Sequence, residues 1–450
     1  MKKMLLFCLL AGLAAEVFPQ GSWMVPTMVP KNAIVRTVDA SHTLIYNDGG
    51  SGNGSFLLYE NGMPLQSFSL PSGSIVHDVE VYDNATAYFC GERGGKGMVG
   101  FFDVMPTFYG SAPVTYGFMP AMFVADSMDC NNCDMGVRRL KRLSVANVGG
   151  QVEMAMVAEG EISFVDGPAA RTAVLSAFYN AGTWYVGIEY NKTGRVDFTD
   201  VDFVDDYLVA VGMGASGARC YVKTFERLPL CATHPVVSSH DDEVACGAPV
   251  GPAFVVTKGG NRAAVVQYGD YPGLMVHYME FNTLAGLPML SAQSLMTASS
   301  AIPFASGTWE LNEVRYSRAN EMLYALGVMN HPAESGFGSW LMPVPDGSTG
   351  TVDPIRYLSG KQYSIDVNAM QHPVSVGVSA STAGVLSLRP ELDIDEVEGD
   401  CLTDKALPVT HPASYLVEDW VDDEHFMKMM PGRVRPVKVE EVEVVAECEK

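Results

Sequence analysis

One short unit returns along this chain in altered form. It runs as an acidic or amide residue, an alternating apolar strand, a polar turn, a second apolar strand, a glycine-rich loop and a third strand. It is clearest in His77-Asp78-Val79-Glu80-Val81 leading to Ala87-Tyr88-Phe89-Cys90-Gly91, and in Asp200-Val201-Asp202-Phe203-Val204 leading to Leu208-Val209-Ala210-Val211-Gly212. An imperfectly repeated β-meander is the sequence signature of small antiparallel sheets packed radially about an axis. The repetition therefore predicts an all-β fold, a β-propeller.

Units open near Val38-Asp39, His77-Asp78, Arg142-Leu143, Thr199-Asp200, Asp241-Asp242, Asn312-Glu313 and Ile365-Asp366. Their spacing of about 40 to 70 residues suits blades with loops of varied length. Seven blades over residues 34–390 fit best. Six or eight remain open because the units near 139–190 and 236–281 are faint, and the rival architecture is two packed β-domains. In several units an apolar strand runs into glycine, as at Gly91, Gly212 and Gly327. Hairpin turns that demand positive φ would account for these residues.

The 450 residues carry a formal charge of −23. Phosphate backbones are gripped by clustered Lys and Arg. The one basic cluster, Arg138-Arg139-Lys141-Arg142, alternates with apolar residues like the solvent face of a strand. Nucleic acid is thus excluded as a partner class.

Met1-Lys2-Lys3 followed by an apolar run to Ala15 reads as a secretory signal peptide, residues 1–15 with cleavage up to about residue 21. No later segment is apolar for long enough to be a transmembrane span. The expected location is exported: periplasm, cell surface or extracellular. Outside the leader, eight cysteines remain for an oxidising compartment. Cys130-Asn131-Asn132-Cys133 is the one local pair and the candidate disulfide; no second CxxC completes a zinc site. From residue 391 to 450 acidic residues dominate. Val437 to Val445 alternates at period two, so this tail reads as a partly disordered arm or an edge strand.

The acids that open the units, Asp39, Asp78, Asp200, Asp242, Glu313 and Asp366, are the candidate binding residues. If the openings are innermost strands, these carboxylates gather at a channel mouth, where calcium is the cation they would suit. The competing reading is that each acid hydrogen-bonds its own turn. His77-Asp78 and His240-Asp241 repeat a His-Asp step, followed at the same offset by Glu80 and Glu243 respectively. A metal or general-base site could be built from such groups, but strand alternation would send His and Asp to opposite faces and favours a structural reading. Gly182-Thr183-Trp184 and Gly307-Thr308-Trp309 recur before strand-like runs and read as blade-packing tryptophans. Trp23, Trp340, Tyr268, Tyr271 and Tyr278 are candidate sugar-stacking aromatics. A nucleophile elbow, a Walker loop, a His-Glu-x-x-His helix and a dinucleotide fingerprint are missing.

Over residues 34–390 the loose unit, as in Val76-His77-Asp78-Val79 with Tyr88-Phe89-Cys90-Gly91, resembles exported β-propeller proteins of gut and oral Bacteroidota. That group shares no activity, so the resemblance implies fold and export and assigns no catalytic residue. The expected function is a binding or interaction module for a protein or glycan partner. Two alternatives stand beside it: a polysaccharide-processing enzyme (hydrolase or lyase) using carboxylates from adjacent blades, and a structural component of a surface assembly.

Overall fold

The computed structural model describes most of residues 22–387, interrupted at several loops, and three short strands beyond them, Ala413–Leu416, Met427–Met429 and Val437–Lys438. The leader at residues 1–15, Tyr271 and the rest of the acidic tail lie outside the described residues.

The described strands form seven sheets. In chain order their inner strands are Ala33–Thr37, Ser74–Tyr82, Cys130–Val148, Val196–Val204, Pro249–Gly259, Thr308–Ser317 and Lys361–Val367. Each inner strand touches the next, and Lys361–Val367 touches Ala33–Thr37, so the ring closes. The chain is a β-propeller, not two packed β-domains. Within each sheet the chain moves outward as an antiparallel meander. Ser22–Met28 pairs antiparallel with Thr382–Ser387, so the beginning of the described chain completes the seventh sheet. Of the tail strands, Ala413–Leu416 lies parallel on Met63–Ser69 and Met427–Met429 lies parallel on Thr183–Glu189. Val437–Lys438 pairs with Phe123–Ser127. No helix among the described residues is long and apolar enough to cross a membrane.

Burial explains the alternation in the sequence. Each adjacent pair of sheets encloses its own apolar cluster, including the pair that closes the ring, where Val35, Ile45 and Tyr59 meet Val374 and Val376. Trp184 is fully buried between the second and third sheets and lies over Gly117, where a Cβ would stand 2.3 Å from the indole. It is a packing tryptophan, as the Gly-Thr-Trp pattern predicted. Trp340 and Tyr278 are also core residues, so neither is a sugar platform. Cys90 is buried and unbridged. Cys130 and Cys133 lie on the strand Cys130–Val148 with a register shift between them, and their side chains lie outside the described residues.

A recurrent bulge corrects the reading of the glycines. The inner strands carry an extra residue at His77, Thr199, Asn312 and Tyr363, and the residue before each bulge faces Gly91, Gly212, Gly327 and Gly377 respectively. A Cβ on Gly91 would meet the Ile75 carbonyl oxygen at 2.0 Å, and one on Gly327 would meet that of Glu310 at 2.3 Å. These glycines permit close backbone approach at a bulge. Among the described glycines, positive φ falls at turns, as at Gly94 and Gly95.

The unit opening at Asp241-Asp242 is also corrected. Ser239–Val244 is the outermost strand of the fourth sheet, and the inner strand of the fifth begins at Pro249. His240-Asp241 is therefore not equivalent to His77-Asp78.

Replacing Gly91 with Ala forces the bulge apart and should lower stability by about 1–3 kcal/mol, the usual cost of overpacking. Urea denaturation should show an earlier midpoint with unchanged slope. A midpoint equal to that of the unmodified protein would contradict the close-approach account.

Candidate functional site in the axial channel

The bulge decides where the acids point. It adds one residue to the inner strand, so the residue after it and the residue two further on both face the axis. The sequence reads Asp78-Val79-Glu80, Asp200-Val201-Asp202 and Glu313-Val314-Arg315 at these positions, with Ser364 and Asp366 in the seventh sheet. Four of the six candidate acids, Asp78, Asp200, Glu313 and Asp366, border one axial cavity of ≈ 340 Å³. A second cavity of ≈ 490 Å³ lies against the other ends of the inner strands, bordered by His77, Lys141 and Tyr363. Asp78, Arg142 and Glu313 border both and form a waist between them.

Asp39 and Asp242 are elsewhere. Asp39 accepts hydrogen bonds from the Ser41 and His42 backbone N–H groups at 2.8 Å and pairs with the His42 ring, capping its own turn. Asp242 sits on the outer strand opposite Val222. A strand alternating acid with apolar residues reads alike at the rim and at the axis, and this misplaced it.

Most of the axial carboxylates fasten one sheet to the next. Asp78 accepts the Leu143 N–H at 2.9 Å, and Asp200 accepts that of Val255 at 3.0 Å. Asp202 accepts the N–H of Thr257 at 2.6 Å, Glu313 that of Ile365 at 2.8 Å and Asp366 that of Thr37 at 2.7 Å. In every case the donor belongs to the inner strand of the following sheet. The clamp thus runs between sheets, where the turn-capping alternative held the bond within one turn.

Arg36 ties these clamps together. Its Nη2 donates to Asp78 at 2.7 Å and to Glu313 at 2.8 Å, its Nη1 to Ser364 and to the Val35 and Ile365 carbonyls, and its Nε to the Val79 carbonyl. It is 3% exposed. Arg142 is different. It occupies a second bulge of the third inner strand at φ 51°, lies 4.7 Å over the Phe254 ring, and makes one hydrogen bond, to the Asn312 carbonyl at 3.0 Å. The basic cluster is therefore an inner strand. Arg139 and Lys141 share Glu159, and Arg142 turns into the channel.

Charge in the cavity is graded. Burial tends to raise the Glu313 carboxyl, but Arg36 and then Arg315 outweigh it and hold it at about 2. Burial pushes Glu80 up to about 7 despite Arg315 and Arg36, and pushes Asp200 up to about 7 despite Arg142 and the Val255 N–H. On the far side of the waist, burial and the nearby Arg139 and Lys141 lower His77 to about 4. Among the described residues no group of three His, Cys, Asp or Glu has the arrangement of a metal site. The carboxylate oxygens of Asp78, Asp200 and Glu313 meet guanidinium or backbone N–H groups.

Sequence reasoning missed Asp202, Arg36, Arg142 and Arg315, and noted Glu80 beside His77-Asp78 without placing it among the candidate binding acids. Period two counted from Asp78, Asp200 and Glu313 would have reached Glu80, Asp202 and Arg315. Arg36 and Arg142 carry no such signal.

No protein-family model matches the chain, and no curated protein matches it. Among solved structures, a prolyl endopeptidase is similar at TM-score 0.47 and 10% identity over 94% of this chain, which spans 50% of that protein's length. Streptogramin B lyase is similar at TM-score 0.43 and 9% identity, covering 82% of this chain and 97% of that one. The WD40 β-propeller domain of Doa1 is similar at TM-score 0.40 and 12% identity, covering 82% and 98%. Nothing about activity follows from likeness at this level; the fold rests on the closed ring of inner strands.

Replacing Arg36 with Met leaves Asp78 and Glu313 buried without their shared cation and should cost about 3–5 kcal/mol. The same denaturation series reads the pH dependence. Glu80 and Asp200 titrate higher in the folded state, so the native protein holds more protons between about pH 4 and 7, and their contribution to stability falls as pH rises through that window. Glu313 is depressed, so its contribution is present above about pH 4.5 and is lost toward pH 2. Glu80→Gln should flatten the decline between pH 5 and 7.5. A wild-type slope retained in that variant would refute the assignment to Glu80.

Proposed function

We propose that this chain is an exported β-propeller that binds a partner, protein or glycan, in the ≈ 340 Å³ axial cavity. The volume lies at the small end of the range for ligand pockets, about 300–1,000 Å³. One observation carries the preference for binding over turnover: the carboxylates an enzyme would need are already engaged. Asp78, Asp200, Asp202, Glu313 and Asp366 are fastened to the next sheet. Of the acids bordering the cavity, that leaves Glu80 alone without a clamp, and a glycosidase needs a pair of carboxyls. Export rests on the charged, apolar leader; cleavage as late as residue 21 would spare the closing strand Ser22–Met28.

The test pairs a retention assay on immobilised glycans and envelope proteins with product analysis on the same glycans. The protein should be retained without releasing product. Val367 borders the cavity, so Val367→Trp, with unchanged melting temperature, should weaken retention at least tenfold. Released oligosaccharide would favour the enzyme reading. Full retention by the filled variant would place the binding surface elsewhere on the propeller.

A further inference from the structure

The position three residues beyond the bulge has a regular duty that two residues do not perform. Asp202 and Asp366 stand there and each accepts a backbone N–H from the next sheet. Glu80 and Arg315 stand at the corresponding positions and fasten no neighbouring backbone. Glu80 has one partner, the Arg315 Nη1 at 3.4 Å, longer than a good charged hydrogen bond. Arg315 gives Nη2 to Glu313 at 2.9 Å, while its Nε is buried with no hydrogen-bond partner.

Arg142 adds to this unspent capacity. A guanidinium has five N–H donors. Arg36 makes six contacts with them, whereas Arg142 makes one hydrogen bond, although a left-handed backbone residue in mid-strand is strained to aim it at the axis. The fully satisfied arginine is structural. Idle donors and a loosely held carboxyl facing one cavity are the complement of a ligand that both accepts and donates.

We propose that the axial cavity takes one neutral sugar residue at the end of a glycan, with Arg142 and Arg315 donating to its hydroxyl oxygens and Glu80 accepting from its hydroxyl groups. This rests on the binding reading above and names the ligand class for the same cavity. Tyr316 also borders the cavity, its side chain packed against the core cluster of the fifth and sixth sheets and its hydroxyl donating to Asp346 at 3.2 Å. Asp78 and Glu313, which border both cavities, are bridged between them by Arg36, so a chain terminus fits where a threaded polymer does not. Charge balance separates the ligand classes. The bordering acids are offset by Arg142, Arg315 and Arg318 together with the waist's Arg36, and the half-protonated Glu80 and Asp200 reduce the remaining excess. A polyamine would want a stronger negative field, and a uronate would meet the acids.

Saturation-transfer NMR and calorimetry at pH 7 with free glucose, galactose, mannose, N-acetylglucosamine and lactose, beside glucuronate and spermidine, test this. At least one neutral saccharide should bind, and Arg142→Met and Glu80→Gln, each folded by circular dichroism, should weaken it at least tenfold. Spermidine or glucuronate binding that depends on the same residues, without neutral sugar binding, would overturn the ligand class and leave the cavity as the binding site. Binding of any probe unaffected by either variant would overturn both readings. Absence of neutral sugar binding would overturn this inference alone if the immobilised-partner assay still depended on the cavity.

Discussion

The hydrogen bond from a side-chain carboxylate on one inner strand to a backbone N–H on the next is the constraint on which the ring depends. Apolar faces alone would let neighbouring sheets slide, because the hydrophobic effect is non-directional. The clamps of Asp78, Asp200, Asp202, Glu313 and Asp366 fix the register of one sheet on the next. They do so at the narrow centre, where side chains are crowded and a small displacement matters most. Arg36 is the main reason that the Glu313 carboxyl stays ionised there. Buried charge is tolerated when paired and fully hydrogen-bonded, and Arg36, Asp78 and Glu313 meet that condition.

The bulge makes the clamp possible, and glycine makes the bulge possible. Without the extra residue at His77, the strand's alternation would separate His77 and Asp78 onto opposite faces, as simple period-two reasoning expects. With it, both border the second cavity. The partner strand must then come close, and Gly91 has no Cβ to collide with the Ile75 carbonyl. One local device therefore accounts for three features of the repeat: the polar residue, the acid after it, and the glycine on the second strand.

Architecture was legible in the sequence because each unit repeats the same burial problem, and the inward course of Asp78, Asp200, Glu313 and Asp366 followed from it. Asp39 was misread because it lies two residues past its strand, where the following Ser41 and His42 invite a capped turn. Asp242 was misread because its strand has the right alternation on the wrong edge. The arginines were hidden for another reason. A cation at the axis answers to the sum of surrounding carboxylates, and those come from sheets hundreds of residues apart in the chain, as Arg36 and Glu313 do. No local pattern can report such a sum.

The distribution of satisfied and unsatisfied groups then separates scaffold from site within one ring. Arg36, Asp78 and Glu313 have spent their hydrogen-bonding capacity, and altering them tests folding. Arg142, Arg315 and Glu80 retain capacity and face a cavity, although Glu80 and Arg315 stand only two residues along the same strands from Asp78 and Glu313. Repetition supplies the contrast: Asp202 and Asp366 show what their position does when it serves the fold. Glu80 stands at that position without serving it. In a ring built from one repeated solution, Glu80 is the departure: an acid at the clamp position whose one hydrogen-bond partner is Arg315, on another inner strand, and not a backbone N–H.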